Sequence, residues 1–560
     1  MTNERPNILW VSFEDCSPRF GCYGDPVART PYLDRLASEG GLWTKAFTTA
    51  PVCAPSRSSV ITGMHPVTLG THHMRTNCGP HHGGKGIPRY EAVVPHYVRC
   101  FPEYLRAAGY FCTNRNKTDY QFIPPITTWD LPGGHWRDRP DPDQPFFSVF
   151  NLDETHEIAG WEGSFFGDND IDLDSIEVPP YFPDTPKVRQ SLAQVYTAIE
   201  HCDRLLGNLL GELEEDGLAD STAVFVWTDH GPLPRGKRWP YDSGIHSPLI
   251  VRWPGVIEPG TISDELVSTM DLGPTVLSIC GVEVPRNLQG RPFLGSDAHG
   301  GRDYVFISRD RYDEMYDTVR ASRDQRFKYI RHYDPARPYM MWNSFRNSHP
   351  IMQEMWRLYA AGELEGPPAR AMADKRPAEE LYDTEADPHE VENLAGDPAY
   401  REVLDRHRAA LEQWQLEVGD LGMVPEDVMV AQMWPGGVQP VTDAPKFIVV
   451  GGDHHGTEAS PEGGTFTGPV VLQMQCSTQG ASIGYTLEDD PLPDAPADLD
   501  EQFSAALGHN PQAGDPPRRL LYHQPLRLPV GKTRIRAFAH RIGYQRSPES
   551  VATFIVESDD

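Results

Sequence analysis

The sequence predicts an α/β fold built on a largely parallel central sheet, followed by a smaller α+β unit with an antiparallel sheet and a C-terminal β-sandwich. Three observations predict it. Runs such as "NILWVSF" (Asn7 to Phe13) and "TAVFVWT" are apolar at nearly every position, as strands buried on both faces are. Between them, Leu192, Val195, Ile199, Cys202, Leu206, Leu209 and Leu213 recur at spacings of three and four, the period of a helix that covers such a sheet. Polar residues gather where the strands end, as Glu14-Asp15 and Asp229-His230. Ligands of parallel α/β sheets collect at those carboxyl ends.

The elements follow in order. "RTPYLDRLASEG" reads as a helix with Pro31 near its start, Gly40 at its stop and Leu33, Leu36 and Ala37 on one face. A longer helix runs from about Val188 to Asp216, and Gly217 ends it. "SPLIVRW" is a further strand. From about Asp303 the pattern changes to short strands, "DYVFISR" and "RFKYIRHY", then a turn-rich stretch and an amphipathic helix in "LDRHRAALEQWQLEVG". "MWPGGVQPVTDAP" makes a linker. Beyond it, "GPVVLQMQCS", "SIGYTLEDD" and "ESVATFIVES" are strand-like runs broken by turns. The expected division is 1–300, 301–428, a linker 429–444, and 445–560.

Composition sets outer limits. The chain has 560 residues, 39% of them apolar, enough for two or three cores. No apolar run reaches about 18 residues, so no membrane-spanning helix is expected. "MTNERPNILWVSFED" lacks a basic region followed by an apolar run, so as written the chain is expected in the cytoplasm, or in the periplasm or medium if a leader has been removed. Nine cysteines without framework spacing argue for thiols. A net charge of -30 excludes a nucleic-acid partner and requires any anion site to be a local cationic pocket.

Several stretches carry candidate chemistry. In "PVCAPSRSSVITG", Cys53 precedes a helix that Pro55 opens, where free amides and the helix dipole favour an anion, and Arg57 lies one turn on. Local physics leaves open a structural cysteine or an anion-handling one. Glu14-Asp15 and Asp229-His230 are either solvent-facing strand ends or carboxylates converging on a cation. "HGPLPRGKRWPYDSG" is basic within an acidic chain, with Arg235, Lys237 and Arg238.

Cys53-Ala54-Pro55-Ser56-Arg57 with Thr62-Gly63 matches the C-x-P-S-R signature and downstream T-G of the sulfatases, and "RPNILWVSFED", "TPYLDRLASEG" and "AFTTAPVC" resemble that family's N-terminal third. The resemblance implies an alkaline-phosphatase-like fold and oxidation of Cys53 to formylglycine by a formylglycine-generating enzyme. A hydrated aldehyde has two hydroxyls on one carbon: one attacks sulfur, and collapse of the other ejects sulfate, a release that a serine nucleophile lacks. By the same resemblance Arg57 stabilises the nucleophile, and Glu14, Asp15, Asp229 and His230 join residue 53 around a divalent ion, calcium before manganese or zinc. Lys117 in "NKTDYQF" and Lys237 match the lysines around the sulfate, and His156 in "NLDETHE" matches the histidine at the leaving-group oxygen, which implies a general acid shared with Lys237. Two positions depart from the family pattern. Glu14 stands where aspartate is usual, and Asp119 where the K-x-H element has histidine.

Residues 5–425 look most like the N-sulfoglucosamine sulfohydrolase (sulfamidase) branch, which implies a small sulfated carbohydrate as substrate. Asp119, His72, His73 and Arg75, with Arg309, Asp310, Arg311 and Glu314 in "SRDRYDEMYD", are the candidates for its pocket. The segment 445–557 resembles the β-sandwich appended to chitobiases and hexosaminidases, a module for carbohydrate binding, internal packing or homo-oligomer formation. Two alternatives share the fold: a phosphodiester or phosphonate monoester hydrolase, against which Ser56 speaks, and a non-catalytic homologue that only binds.

Overall fold

The computed structural model describes residues 5–76, 89–156, 170–452, 454–456, 459–487 and 519–558. Its largest sheet has eight strands: β1 (Asn7–Phe13), β2 (Gly41–Trp43), β3 (Phe111–Arg115), β4 (Leu131–Pro132), β5 (Phe146–Leu152), β6 (Thr222–Thr228), β7 (Leu249–Arg252) and β8 (Thr261–Ser263), in the spatial order β4-β3-β5-β1-β6-β7-β2-β8. All neighbours are parallel except β7, which runs antiparallel to β6 and β2.

The uniform apolarity of the central strands follows from their two covered faces. Ile8 and Trp10 of β1 point with Phe147, Val149, Phe225 and Trp227 into one core. Leu9, Val11 and Phe13 point the other way with Phe146, Phe150, Val224 and Val226. Two helices close that second core: α1 (Pro31–Glu39) through Leu33 and Leu36, and α3 (Pro186–Glu215) through Ile199, Leu206 and Leu209. Thr185 caps α3 through its side chain, Pro186 occupies the first turn, and Gly217 leaves it at φ +68°. The helix α2 (Cys53–Thr62) lies between them in sequence, and all ten of its residues are buried.

The second unit is a four-stranded antiparallel sheet of β9 (Val305–Arg309), β10 (Val319–Arg323), β11 (Phe327–His332) and β12 (Glu379–Asp383). The amphipathic helix α4 (Arg401–Val418) packs on it through Leu404, Leu411 and Trp414, with Tyr329 and Leu381 beneath.

Beyond residue 445 the chain forms a four-stranded and a five-stranded sheet around Phe447, Leu472, Ile535 and Phe554. This unit is docked on the first. Gln439 donates to Glu91 at 2.9 Å and to the Gly543 carbonyl at 3.2 Å. Arg99 reaches Ser482, Arg106 reaches the Arg519 carbonyl, and Ile542 packs in the core of the main sheet. Among its described residues no Phe, Tyr or Trp is exposed.

Candidate active site

The register of the sheet builds the site. Phe13 of β1 pairs with Thr228 of β6, and Ser12 with Asn151 of β5. Glu14-Asp15, Asp229-His230 and Asn151 therefore emerge side by side at the carboxyl edge. Asp15 turns at φ +49°, and its N–H donates to Asp229 Oδ1 at 3.2 Å, which locks the two strand ends together.

Helix α2 delivers its first turn to the same edge. Its first residue is Cys53 itself, with Val52 as cap, so the helix starts two residues before the proline expected to open it. Pro55 is tolerated there because the amides of a first turn have no carbonyl partner to lose. Ser56 Oγ donates to the Asp229 carbonyl at 2.8 Å. Arg57 donates to Asp229 Oδ2 at 3.0 Å, Asn151 Oδ1 at 2.8 Å and Glu14 Oε1 at 3.1 Å, which consumes its fork. Val52, Ala54, Met74, Tyr312, Met315 and Met341 form an apolar wall around Cys53.

Two lysines complete the cluster. Lys117 donates to Glu14 Oε2 at 2.7 Å, and Lys237 to both oxygens of Asp15 at 3.2 and 3.1 Å. Lys237 rides on a loop whose glycines permit close backbone passage: a Cβ on Gly236 would collide with the Pro232 carbonyl oxygen. His156 follows β5 and brings Nε2 to 3.9 Å from Glu14 Oε2, with its side chain about a quarter exposed.

Charge balance sets the protonation. Burial opposes ionisation of Cys53, yet Lys117, Lys237 and His230 hold its thiol well below the ordinary value. Burial lifts Asp15 to about 6 against Lys237 and His230. Burial alone would raise Glu14 too, but Lys117 and Arg57 bring it below its usual range. His230 resists burial and rises to about 9 because Asp229, Cys53 and Asp15 surround it. For His156, burial and Lys237 push down, while Asp15 and a hydrogen bond to Cys53 carry it above the normal value.

The family model "Sulfatase" matches residues 6–123 and 135–282, and "N-sulphoglucosamine sulphohydrolase, C-terminal" matches 230–365. The chain is 37% identical to an ulvan-active sulfatase of Formosa agariphila over 97% of this chain and 90% of that protein. It is 27% identical to human N-sulphoglucosamine sulphohydrolase over 77% of this chain and 94% of the relative. A solved structure described as a complex with its substrate, D-glucosamine-2-N,6-O-disulfate, superposes with a TM-score of 0.53 at 19% identity, over 76% of this chain and all of the other (100%).

This chain belongs to the sulfatase family. It is accordingly a sulfuric ester hydrolase with the expected α/β fold. Sulfatases use a formylglycine and a metal, and the donor set fits a cation. Ligand atoms of Asp15, Cys53, Asp229 and His230 all lie within 4.8 Å of one another. His230 Nδ1 faces the Gly231 carbonyl at 2.9 Å and must donate to it, so Nε2 is the nitrogen turned to Asp15 and Cys53, each at 3.2 Å. Glu14, expected among the metal ligands, is outside that group and gives one oxygen to Arg57 and the other to Lys117.

Of the pocket candidates in this sulfatase, Asp119 and Arg75 reach the site: Arg75 donates to Asp119 Oδ1 at 3.1 Å, and Asp119 Oδ2 lies 3.7 Å from Lys117. The others meet partners of their own. Arg309 pairs with Asp317 at 2.7 Å, Asp310 with Arg320 at 3.1 Å, and Arg311 grips both oxygens of Glu426 at 2.7 Å. Glu314 accepts from Asn343 and the Ser344 amide. His72 and His73 are buried against one another, their rings 4.2 Å apart, and desolvation drops His72 to about 4. Sequence reasoning missed Asn151, which receives Arg57 and Ser12 and donates to the Lys117 carbonyl at 3.0 Å. Its signal was an amide at the carboxyl end of the apolar run "FFSVFNL".

Proposed function

We propose that the chain hydrolyses the sulfate ester or N-sulfate of a sulfated sugar after Cys53 has been converted to formylglycine, with a divalent ion held by Asp15, Asp229, His230 and residue 53. The convergence of Cys53, two lysines and a cation donor set within one buried edge supports this reading most. The names of the relatives, which act on ulvan, N-sulphoglucosamine and glucosamine disulfate, support a sugar.

The modified residue would supply a hydrated aldehyde as nucleophile and leaving site, and the ion would polarise the sulfate; calcium suits the carboxylates, with manganese or zinc suited to His230. The protein's own part is positioning and charge. Lys117 and Lys237, both tied to carboxylates, present ammonium groups to a sulfate beside residue 53. Arg57 fixes Asp229 and Glu14 and so fixes the frame around the nucleophile. His156, partly exposed and inclined to stay protonated, gives its proton to the departing oxygen or nitrogen.

Mass spectrometry of protein from a host with the modifying enzyme tests the nucleophile. Conversion to formylglycine replaces the thiol by an aldehyde oxygen and lowers the residue mass, whereas ordinary cysteine oxidation only adds oxygen. A desulfation screen tests the substrate. Release from N-sulfoglucosamine but not its 6-O-sulfated isomer supports the sulfamidase assignment, and the reverse pattern retires it. An unmodified Cys53 in such a host, with no metal bound, would defeat the enzymatic reading.

A further inference from the structure

Asp119 carries a buried carboxylate oxygen without a hydrogen bond. The residue is 4% exposed. Arg75 satisfies Oδ1, but Oδ2 has no hydrogen-bond partner and meets Lys117 only as an ion pair at 3.7 Å. A buried polar atom left unpaired costs free energy, and more so when ionised. Arg75, Lys117, Arg57 and Lys237 nevertheless hold Asp119 in its charged form against burial. The backbone adds to the cost, because Asp119 sits at φ +53° and Arg75 at φ +60°, both in the left-handed region.

The missing partner must therefore be a donor. Sulfate is not one, since a sulfate monoester and a carboxylate are both acceptors of like charge. A donor carried by the substrate beside its sulfate meets the requirement: a hydroxyl or ammonium on the carbon neighbouring the sulfate. We propose that Asp119 Oδ2 accepts a hydrogen bond from a hydroxyl or amine adjacent to the sulfate-bearing position, and that Arg75 positions Asp119 for it. The site then selects sugar sulfates with a vicinal donor over deoxy sugars and aryl sulfates. This inference rests on the sulfatase reading above.

The test uses the full, modified, metal-loaded enzyme and three substrates: a sugar sulfate with a free neighbouring hydroxyl, its deoxy analogue at that carbon, and 4-nitrophenyl sulfate. A hydrogen bond to a charged group is worth about 1.5–3 kcal/mol, roughly 10- to 150-fold. Wild-type kcat/KM should favour the hydroxyl-bearing sugar over its deoxy analogue by that factor. Asp119→Asn should reduce the preference, with its loss on the hydroxyl-bearing sugar exceeding its loss on the deoxy analogue and on 4-nitrophenyl sulfate. Titration calorimetry with the desulfated sugar and its deoxy counterpart should show the same preference as a ratio of Kd, without turnover. The wild-type comparisons need no variant, so a poorly folding Asp119→Asn does not weaken them. Equal loss on all three substrates, or a wild type indifferent to the hydroxyl in both rate and Kd, overturns the proposal. Release of sulfate from no substrate would instead overturn the sulfatase reading, and calorimetry would still decide the subsite.

Discussion

Replacing Arg57 with methionine tests how the site is held. The guanidinium is 3% exposed and bridges Asp229 and Glu14, both fully buried, at 3.0 and 3.1 Å. Methionine keeps much of the apolar stem and removes the charge. It deprives two buried carboxylates of a partner, leaving Glu14 with Lys117 and Asp229 with His230 at 3.8 Å. Breaking a buried ion pair by removing one partner costs about 3–5 kcal/mol. With an unfolding entropy of about 2.1 cal/mol/K per residue over roughly 420 cooperatively folded residues, a loss of about 4 kcal/mol lowers Tm by about 4–5 °C. Adding Glu14→Gln removes one of the carboxylates that lost the guanidinium, so the double variant should recover about 1–3 kcal/mol relative to the sum of the single changes. Differential scanning calorimetry of the four proteins measures both quantities. A Tm within about 1 °C of wild type for Arg57→Met, or strict additivity in the double variant, would refute the argument that this network is a coupled buried ion cluster.

Asp310 gives a pH prediction. Burial and Asp420 raise its carboxyl to about 7 despite Arg320. An acid that binds its proton more tightly when folded favours the native state while protonated. That stabilisation is fully present below the ordinary carboxylate range and is lost as pH rises to about 7. Asp310→Asn should therefore flatten the pH dependence of stability between about 4 and 7 in denaturant titrations, gaining most at the alkaline end. For the metal, chelation should lower Tm, and an ion at about 100 times its Kd should return about 2.7 kcal/mol, a response that His230→Ala weakens. Gly236→Ala, whose Cβ would lie 2.5 Å from the Ser243 carbonyl oxygen, should displace Lys237 and lower kcat more than it changes Tm. Gln439→Ala removes the bridge between Glu91 and Gly543, so limited proteolysis should cut more readily near residues 435–445.

Much of this protein is legible in its sequence because local rules act there alone. The apolar runs of β1, β5 and β6 announce strands covered on both faces, and the period of α3 announces the helix that covers them. The signature around Cys53 marks a helix terminus where an anion is welcome, and the acids after β1 and β6 mark the binding edge. Local rules fail where a charge finds its partner. Arg309, Asp310 and Arg311 look like pocket residues in a linear reading, yet Asp317, Arg320 and Glu426 lie at separations of 8, 10 and 115 residues. The methylene that distinguishes Glu14 from aspartate is visible in the sequence. That the Glu14 carboxylate meets Arg57 and Lys117, while ligand atoms of Asp15, Asp229 and His230 gather with Cys53, depends on where four chain segments meet. The sequence alone determined the sheet, the signature and the inventory of charged groups, since period and residue type act through neighbours along the chain. The tertiary structure alone decided which charges neutralise one another and that Asp119 Oδ2 is left without a hydrogen bond, because Coulomb energy and desolvation depend on distances in space.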